Sequence, residues 1–156
     1  MKNVYYYDYP IGTLGIVSEN DKICLIAFKG DKRFFGAVLK ENEVIKSMSI
    51  QLYEYFSGER KSFTVPTLLN GTDFQKSVWN ALAEIPIGET RSYKDIAVRV
   101  GNPKGFRAVG MANNKNPLMI VFPCHRVLGA DGSLVGYAGG LEAKKYLLEL
   151  EKKYAE

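Results

Sequence analysis

The feature that most constrains this chain is a switch in the period of its apolar residues between Phe28 and Glu43. Before the switch, Val4 to Tyr9, Thr13 to Val17 and Ile23 to Phe28 are β-branched and aromatic runs. They are separated by Pro10-Ile11-Gly12 and by Glu19-Asn20-Asp21-Lys22, both turn sequences, and so predict a three-stranded antiparallel meander. After the switch, Ile45, Met48, Leu52 and Tyr55 recur at intervals of three and four, with Gly58 where a helix end favours positive φ. That spacing predicts one helix packed on the sheet. The stretch Ser62 to Asn70 contains Pro66 and has no helical period, which places a lobe boundary there. Residues 1–68 then form an N-terminal sheet-plus-helix lobe and residues 69–156 a mostly helical lobe, giving an α+β fold.

In the second lobe Thr72 and Gln75 stand at capping-box spacing before a helix with Phe74, Val78, Leu82 and Ile85 on one stripe, ended by Pro86-Ile87-Gly88. Ser92 precedes a second amphipathic helix through Tyr93, Ile96, Ala97 and Val100, closed by Gly101-Asn102-Pro103. A third short helix runs from about Lys104 to Asn113. The apolar run Leu118 to Phe122 predicts a buried strand leading into Pro123-Cys124-His125-Arg126-Val127, and a glycine-rich loop follows. The last helix spans Leu141 to Tyr154, with Ala143, Leu147, Leu150 and Tyr154 as its core stripe.

An apolar share of 46% with 24% charged residues excludes a disordered tail. The longest apolar run is too short for a membrane span and the start lacks a signal-peptide pattern, so a soluble cytoplasmic protein is expected, with no membrane partner. Two distant cysteines, Cys24 and Cys124, and a single histidine, His125, rule out a disulfide framework or a clustered zinc site. No metal is expected. The formal net charge of +4 is concentrated: from Glu89 to Arg126 seven basic residues face two acidic ones. Two short helices joined by a tight turn inside that segment have the layout of a helix-turn-helix, or of an ordinary helical hairpin with a solvated basic face. Ala108, Gly110 and Ala112 are small enough to let the backbone approach a groove, and Arg107 could reach into it.

Cys124 is the candidate nucleophile, because a thiolate with a neighbouring base is the strongest nucleophile among common side chains. The competing reading is an ordinary buried thiol, which is how Cys24 reads. On a strand, Cys124 and His125 would point to opposite faces, so their cooperation needs a bridging water or a bend after Pro123. Lys144 and Glu151 are two turns apart on one face of the last helix. Each alone reads as a solvated surface charge; together with His125, Glu151 could orient the imidazole that activates Cys124.

Through the second lobe the sequence closely resembles the O6-alkylguanine-DNA alkyltransferases. The resemblance is carried by Gly71-Thr72, Phe74-Gln75, Val78-Trp79, Ile85-Pro86, Ser92-Tyr93, Ile96-Ala97, Gly101-Asn102-Pro103, Arg107-Ala108-Val109-Gly110, Asn116-Pro117, Pro123 to Val127, Gly136-Tyr137, Gly139-Gly140, and Lys144 with Leu147-Leu148. It implies a ribonuclease-H-like α/β roll for the first lobe and, for the second, a helix-turn-helix that binds the minor groove of double-stranded DNA. It further implies irreversible transfer of the alkyl group from flipped O6-alkylguanine, and from O4-alkylthymine, to Cys124, once per molecule, by a monomer and without a cofactor. His125 corresponds to the family's water-linked base, Glu151 to the carboxylate that holds it, and Asn116 to the asparagine tying the helices to the active-site segment. Tyr93 corresponds to the tyrosine that rotates the nucleotide and hydrogen-bonds the base, and Arg107 to the finger that fills the gap. Val127, Tyr137, Ala138 and Gly139 lie where the family lines its guanine pocket, while Ala108, Gly110, Arg126 and Lys144 complete the substrate- and DNA-binding set. Ala138 stands where some members carry serine, so a hydroxyl contact to the substrate oxygen is missing there. Readings from other classes are a binding-only damage sensor, a helix-turn-helix regulator and a cysteine hydrolase.

Overall fold

The computed structural model describes residues 1–134, 137 and 140–155. They divide into two units, Met1–Asn70 and Gly71–Glu156. The division falls after Asn70 because the stretch from Pro66 to Leu68 runs along the sheet of the first unit, where Ile23 N–H donates to Pro66 and Leu68 N–H donates to Ile23.

In the first unit β1 (Lys2–Tyr9), β2 (Gly12–Glu19) and β3 (Lys22–Phe28) form the expected antiparallel meander. A two-residue β4 (Val38–Leu39), absent from the sequence reading, adds parallel to β1, giving the order β3-β2-β1-β4. Two valine and leucine residues are too short a run to stand out from a loop. The helix α1 (Glu43–Phe56) is capped by Asn42, whose side chain accepts from the Ile45 amide, and buries Ile45, Met48 and Leu52. Cys24 packs with Val4, Val17, Leu25, Ala27 and Phe34 as a plain apolar core residue.

In the second unit α2 (Asp73–Ala83) opens with the expected capping box between Thr72 and Gln75. Trp79, buried on α2, donates its indole N–H to the Ala112 carbonyl at 2.8 Å and so fixes α2 against α4 (Phe106–Asn114). Between them α3 (Tyr93–Arg99) starts from a second capping box, Ser92 with Asp95, and ends at Gly101, whose φ of 80° only glycine adopts freely. A two-residue strand β5 (Arg91–Ser92) pairs in parallel with β6 (Val127–Leu128). This small ladder joins the start of α3 to the segment that carries Cys124.

The strand expected over Leu118 to Phe122 is not formed. The run is a tightly folded turn in which Val121 N–H bonds to Met119 across Ile120, and Phe122 N–H bonds to Leu118. Its apolar character reflects burial, since Leu118, Met119 and Ile120 are all in the core, and a short apolar run does not distinguish strand from buried turn. The final helix α5 (Leu141–Tyr154) has the expected limits, but its buried face is Ala143, Lys144, Leu147 and Glu151. Leu150 and Tyr154 are only partly covered. No helix is long and apolar enough to cross a membrane among the described residues.

Candidate active site

Cys124 to Arg126 form a single turn of 3-10 helix, entered through Pro123 at φ −78° and ψ 70° with Cys124 N–H bonded to Phe122 at 2.7 Å. The alternation of a strand therefore does not apply to Cys124 and His125. Cys124 is a free thiol, 5% exposed. Burial pushes its pKa up, while hydrogen bonds from Asn116 and Tyr137 and the charge of Lys144 pull it back down.

His125 is fully buried, and its Nε2 lies 2.6 Å from Glu151 Oε2. The Glu151 carboxyl, which burial alone would raise, is held well below the carboxylate range by His125 and Arg126. An ionised Glu151 accepts, so Nε2 carries the proton and Nδ1 presents a lone pair. Burial lowers the His125 pKa, against the raising influence of Glu151, which keeps the ring neutral at rest. Nδ1 has no hydrogen-bond partner among the described residues.

Arg126 is corrected from the DNA-binding set. It is 7% exposed and grips Glu151 with two parallel bonds, Nε to Oε1 at 2.7 Å and Nη2 to Oε2 at 2.9 Å, while Nη1 donates to the Ile85 carbonyl at 2.6 Å. Glu151 and Lys144, read singly as solvated charges, are both in the core. Lys144 Nζ donates to the Val127 carbonyl at 2.6 Å and stands 6.0 Å from the Tyr93 ring centre. Burial lowers its pKa, with Cys124 acting the other way. Val127 is fully buried, so what it offers the site is this backbone contact.

Asn116 Nδ2 donates to the Phe122 carbonyl at 2.6 Å and its Oδ1 accepts from Leu118 N–H at 3.0 Å, so one side chain closes the turn that delivers Cys124. Tyr93 opens α3, half-buried. Gly110 faces the Tyr93 ring, and a Cβ there would meet the ring at 3.8 Å, an ordinary van der Waals contact, so Tyr93 does not itself require a glycine. Arg107 and Ala108 lie on the exposed side of α4, with the guanidinium over the Phe106 ring. A recess of about 610 Å³ opens between Tyr93, Pro103, Phe106 and Gly129, with Lys94 and Lys104 in its wall. Ala138 and Gly139 lie outside the described residues, whereas Tyr137 is described and contacts Cys124.

Asn113 is a site residue the sequence reading missed. It is 2% exposed and donates from Nδ2 to the Cys124 carbonyl at 3.3 Å. Its signal was a polar residue four after Val109, on the apolar stripe of α4.

Residues 73–153 match the family described as 6-O-methylguanine DNA methyltransferase, DNA binding domain, and residues 4–69 match its ribonuclease-like domain. The chain is 49% identical over 153 residues to the methylated-DNA–protein-cysteine methyltransferase of Methanosarcina acetivorans, covering 95% of this chain and 98% of that one. It is 45% identical over 152 residues to the inducible enzyme of that name from Bacillus subtilis, covering 97% and 85%. Among solved structures, the Mycobacterium tuberculosis O6-methylguanine methyltransferase superposes with a TM-score of 0.93 at 42% identity, covering 100% of this chain and 96% of that one. The OGT of the same organism in complex with DNA superposes at 0.92 and 42%, covering 97% and 94%. With both units matched and the Cys-His-Glu array assembled, the chain belongs to the 6-O-methylguanine DNA methyltransferase family.

Proposed function

We propose that this protein repairs alkylated DNA by moving the alkyl group of O6-alkylguanine onto Cys124, once per molecule. The observation that carries the reading is His125, buried, with Nε2 committed to an ionised Glu151 and Nδ1 holding an unused lone pair one residue from Cys124. A water between Nδ1 and the thiol would pass the proton to His125, and Glu151 would stabilise the imidazolium that results. The sulfur attacks the alkyl carbon, the S–C bond forms as the C–O6 bond breaks, and the electron pair enters the purine ring. The proton lost by the thiol is balanced by one gained at guanine. The product is a neutral thioether, whose carbon–sulfur bond has no activated leaving group, so the molecule reacts once. No cofactor takes part.

A stacked base cannot present O6 to a buried thiol, so the nucleotide must leave the helix, at a cost of a few kcal/mol. Residues 69–156 do this work. α4 enters the minor groove, Ala108 allows close approach, and Arg107 occupies the vacated space. The recess beside Tyr93 receives the base and Tyr93 hydrogen-bonds it, while the resemblance to the family's guanine pocket assigns Tyr137, Ala138 and Gly139 to the same base. O4-alkylthymine presents the same alkyl–oxygen bond on its pairing edge and is a second substrate. A degenerate groove needs no paired half-sites, so the protein acts as a monomer, in the cytoplasm.

The test is intact-protein mass spectrometry after mixing the chain with a duplex containing one O6-methylguanine, followed by peptide mapping. One methyl on Cys124, never exceeding one per molecule, and none in Cys124→Ala, is the expected result. Tight binding with no mass change would make the protein a damage sensor instead.

A further inference from the structure

The head of α4 carries an aromatic ring that the core does not take up. Phe106, the first residue of the helix, is 48% exposed, whereas the large apolar side chains of such a helix are ordinarily turned inward. Its ring forms part of the wall of the recess of about 610 Å³ beside Tyr93, together with Lys94, Lys104 and Gly129. Tyr93 is half-buried, while Phe106 and both lysines are exposed, so the tyrosine lies deeper in the recess and the other three stand at its rim. Neither lysine forms an ion pair among the described residues. Two ammonium groups at one mouth repel each other, and an anion between them relieves that repulsion. Guanine itself is neutral and supplies no such anion, but the phosphates on either side of it in a strand do.

We propose that Phe106 is a nucleotide-binding residue: at the rim of the recess its ring packs against the deoxyribose of the extruded nucleotide, between flanking phosphates drawn to Lys94 and Lys104. The proposal rests on the transfer reading above and adds that the recess selects a nucleotide within a strand over a base alone. A nucleotide that enters base first leaves its sugar and phosphates at the mouth, where the ring and the two ammonium groups stand. The sugar presents C–H groups, and covering the half-exposed ring with them removes apolar area from water. An aromatic surface set among cations is also how proteins indifferent to sequence hold unstacked strands. The Arg107 guanidinium lies 5.9 Å from the centre of the same ring, a cation–π distance, so any test of Phe106 must separate its own contact from an effect on Arg107.

The test compares three substrates that carry the same alkyl group: a duplex with one O6-benzylguanine, the corresponding single strand, and free O6-benzylguanine. Second-order rates of single-turnover transfer are read by intact mass, and the strand rate is divided by the free-base rate for each protein. We expect Phe106→Ala to lower this ratio roughly tenfold for the single strand as well as for the duplex, as the loss of a half-covered ring implies. The same fall should appear when Phe106→Ala is made in Arg107→Ala, because a single strand has no stack for Arg107 to fill. Phe106→Tyr, which keeps the ring, should stay within about twofold of the original. A ratio unchanged for the single strand, a fall that vanishes in the Arg107→Ala background, or a Phe106→Tyr protein as impaired as Phe106→Ala would overturn the sugar contact. No benzyl group on Cys124 of the unsubstituted protein from any of the three substrates would overturn the transfer reading as well; transfer with ratios indifferent to Phe106 would overturn only the role of Phe106.

Discussion

Ile120 adopts a φ of 73°, and the bond from Val121 N–H to the Met119 carbonyl closes a three-residue turn around it. For a β-branched residue that conformation costs about 1–2 kcal/mol. The strain is held because Ile120 is 2% exposed and because Asn116 fastens the same turn at Leu118 and Phe122. Removing the side chain sacrifices packing in any variant, but only glycine also releases the backbone. Ile120→Gly should therefore be no less stable than Ile120→Ala by urea unfolding, reversing by about 1 kcal/mol the usual penalty for glycine. A glycine variant clearly weaker than alanine would show that the turn stores no strain.

Among the elements, the β5–β6 pair has an influence out of proportion to its four residues. By setting Arg91 beside Val127 and Ser92 beside Leu128, it brings Tyr93 and Cys124 into one site although they are distant in sequence. Nothing in the sequence marks this ladder, because parallel pairing of two-residue strands leaves no period to read. The helices were legible for the opposite reason: their caps and apolar spacing are local, and Thr72 with Gln75 appears as expected. On α5 the pattern misled, since Lys144 and Glu151 occupy core positions that hydrophobicity assigns to Leu150 and Tyr154, and only their partners at Val127, His125 and Arg126 explain why. α4 carries its own prediction. Arg107 lies on the exposed face, away from the thiol chemistry, so Arg107→Ala should slow repair of a duplex lesion by at least tenfold while changing the reaction with free O6-benzylguanine less than twofold. Matching losses on both substrates, in single-turnover assays, would remove it from base flipping.

For the whole molecule, the buried Arg126–Glu151–His125 array couples stability to pH. The Glu151 carboxyl sits at about 2 in the folded protein against 4.5 for the unperturbed group. Its contribution is fully present above the unfolded value and is lost as pH falls toward the folded one, by about 3 kcal/mol in total. Acid unfolding should therefore steepen below pH 4.5, and Glu151→Gln, weaker at neutral pH because Arg126 loses its partner, should show a flatter pH dependence over that window. Identical slopes for the two proteins would place the linkage elsewhere. The nearly sealed position of Cys124 also governs what happens before any substrate arrives. A raised pKa and 5% exposure leave little thiolate at neutral pH for oxidants or small electrophiles to find. On the proposed single transfer per molecule, such closure is shelf life: unspent copies would stay unspent until a lesion brings its own alkyl group to the sulfur.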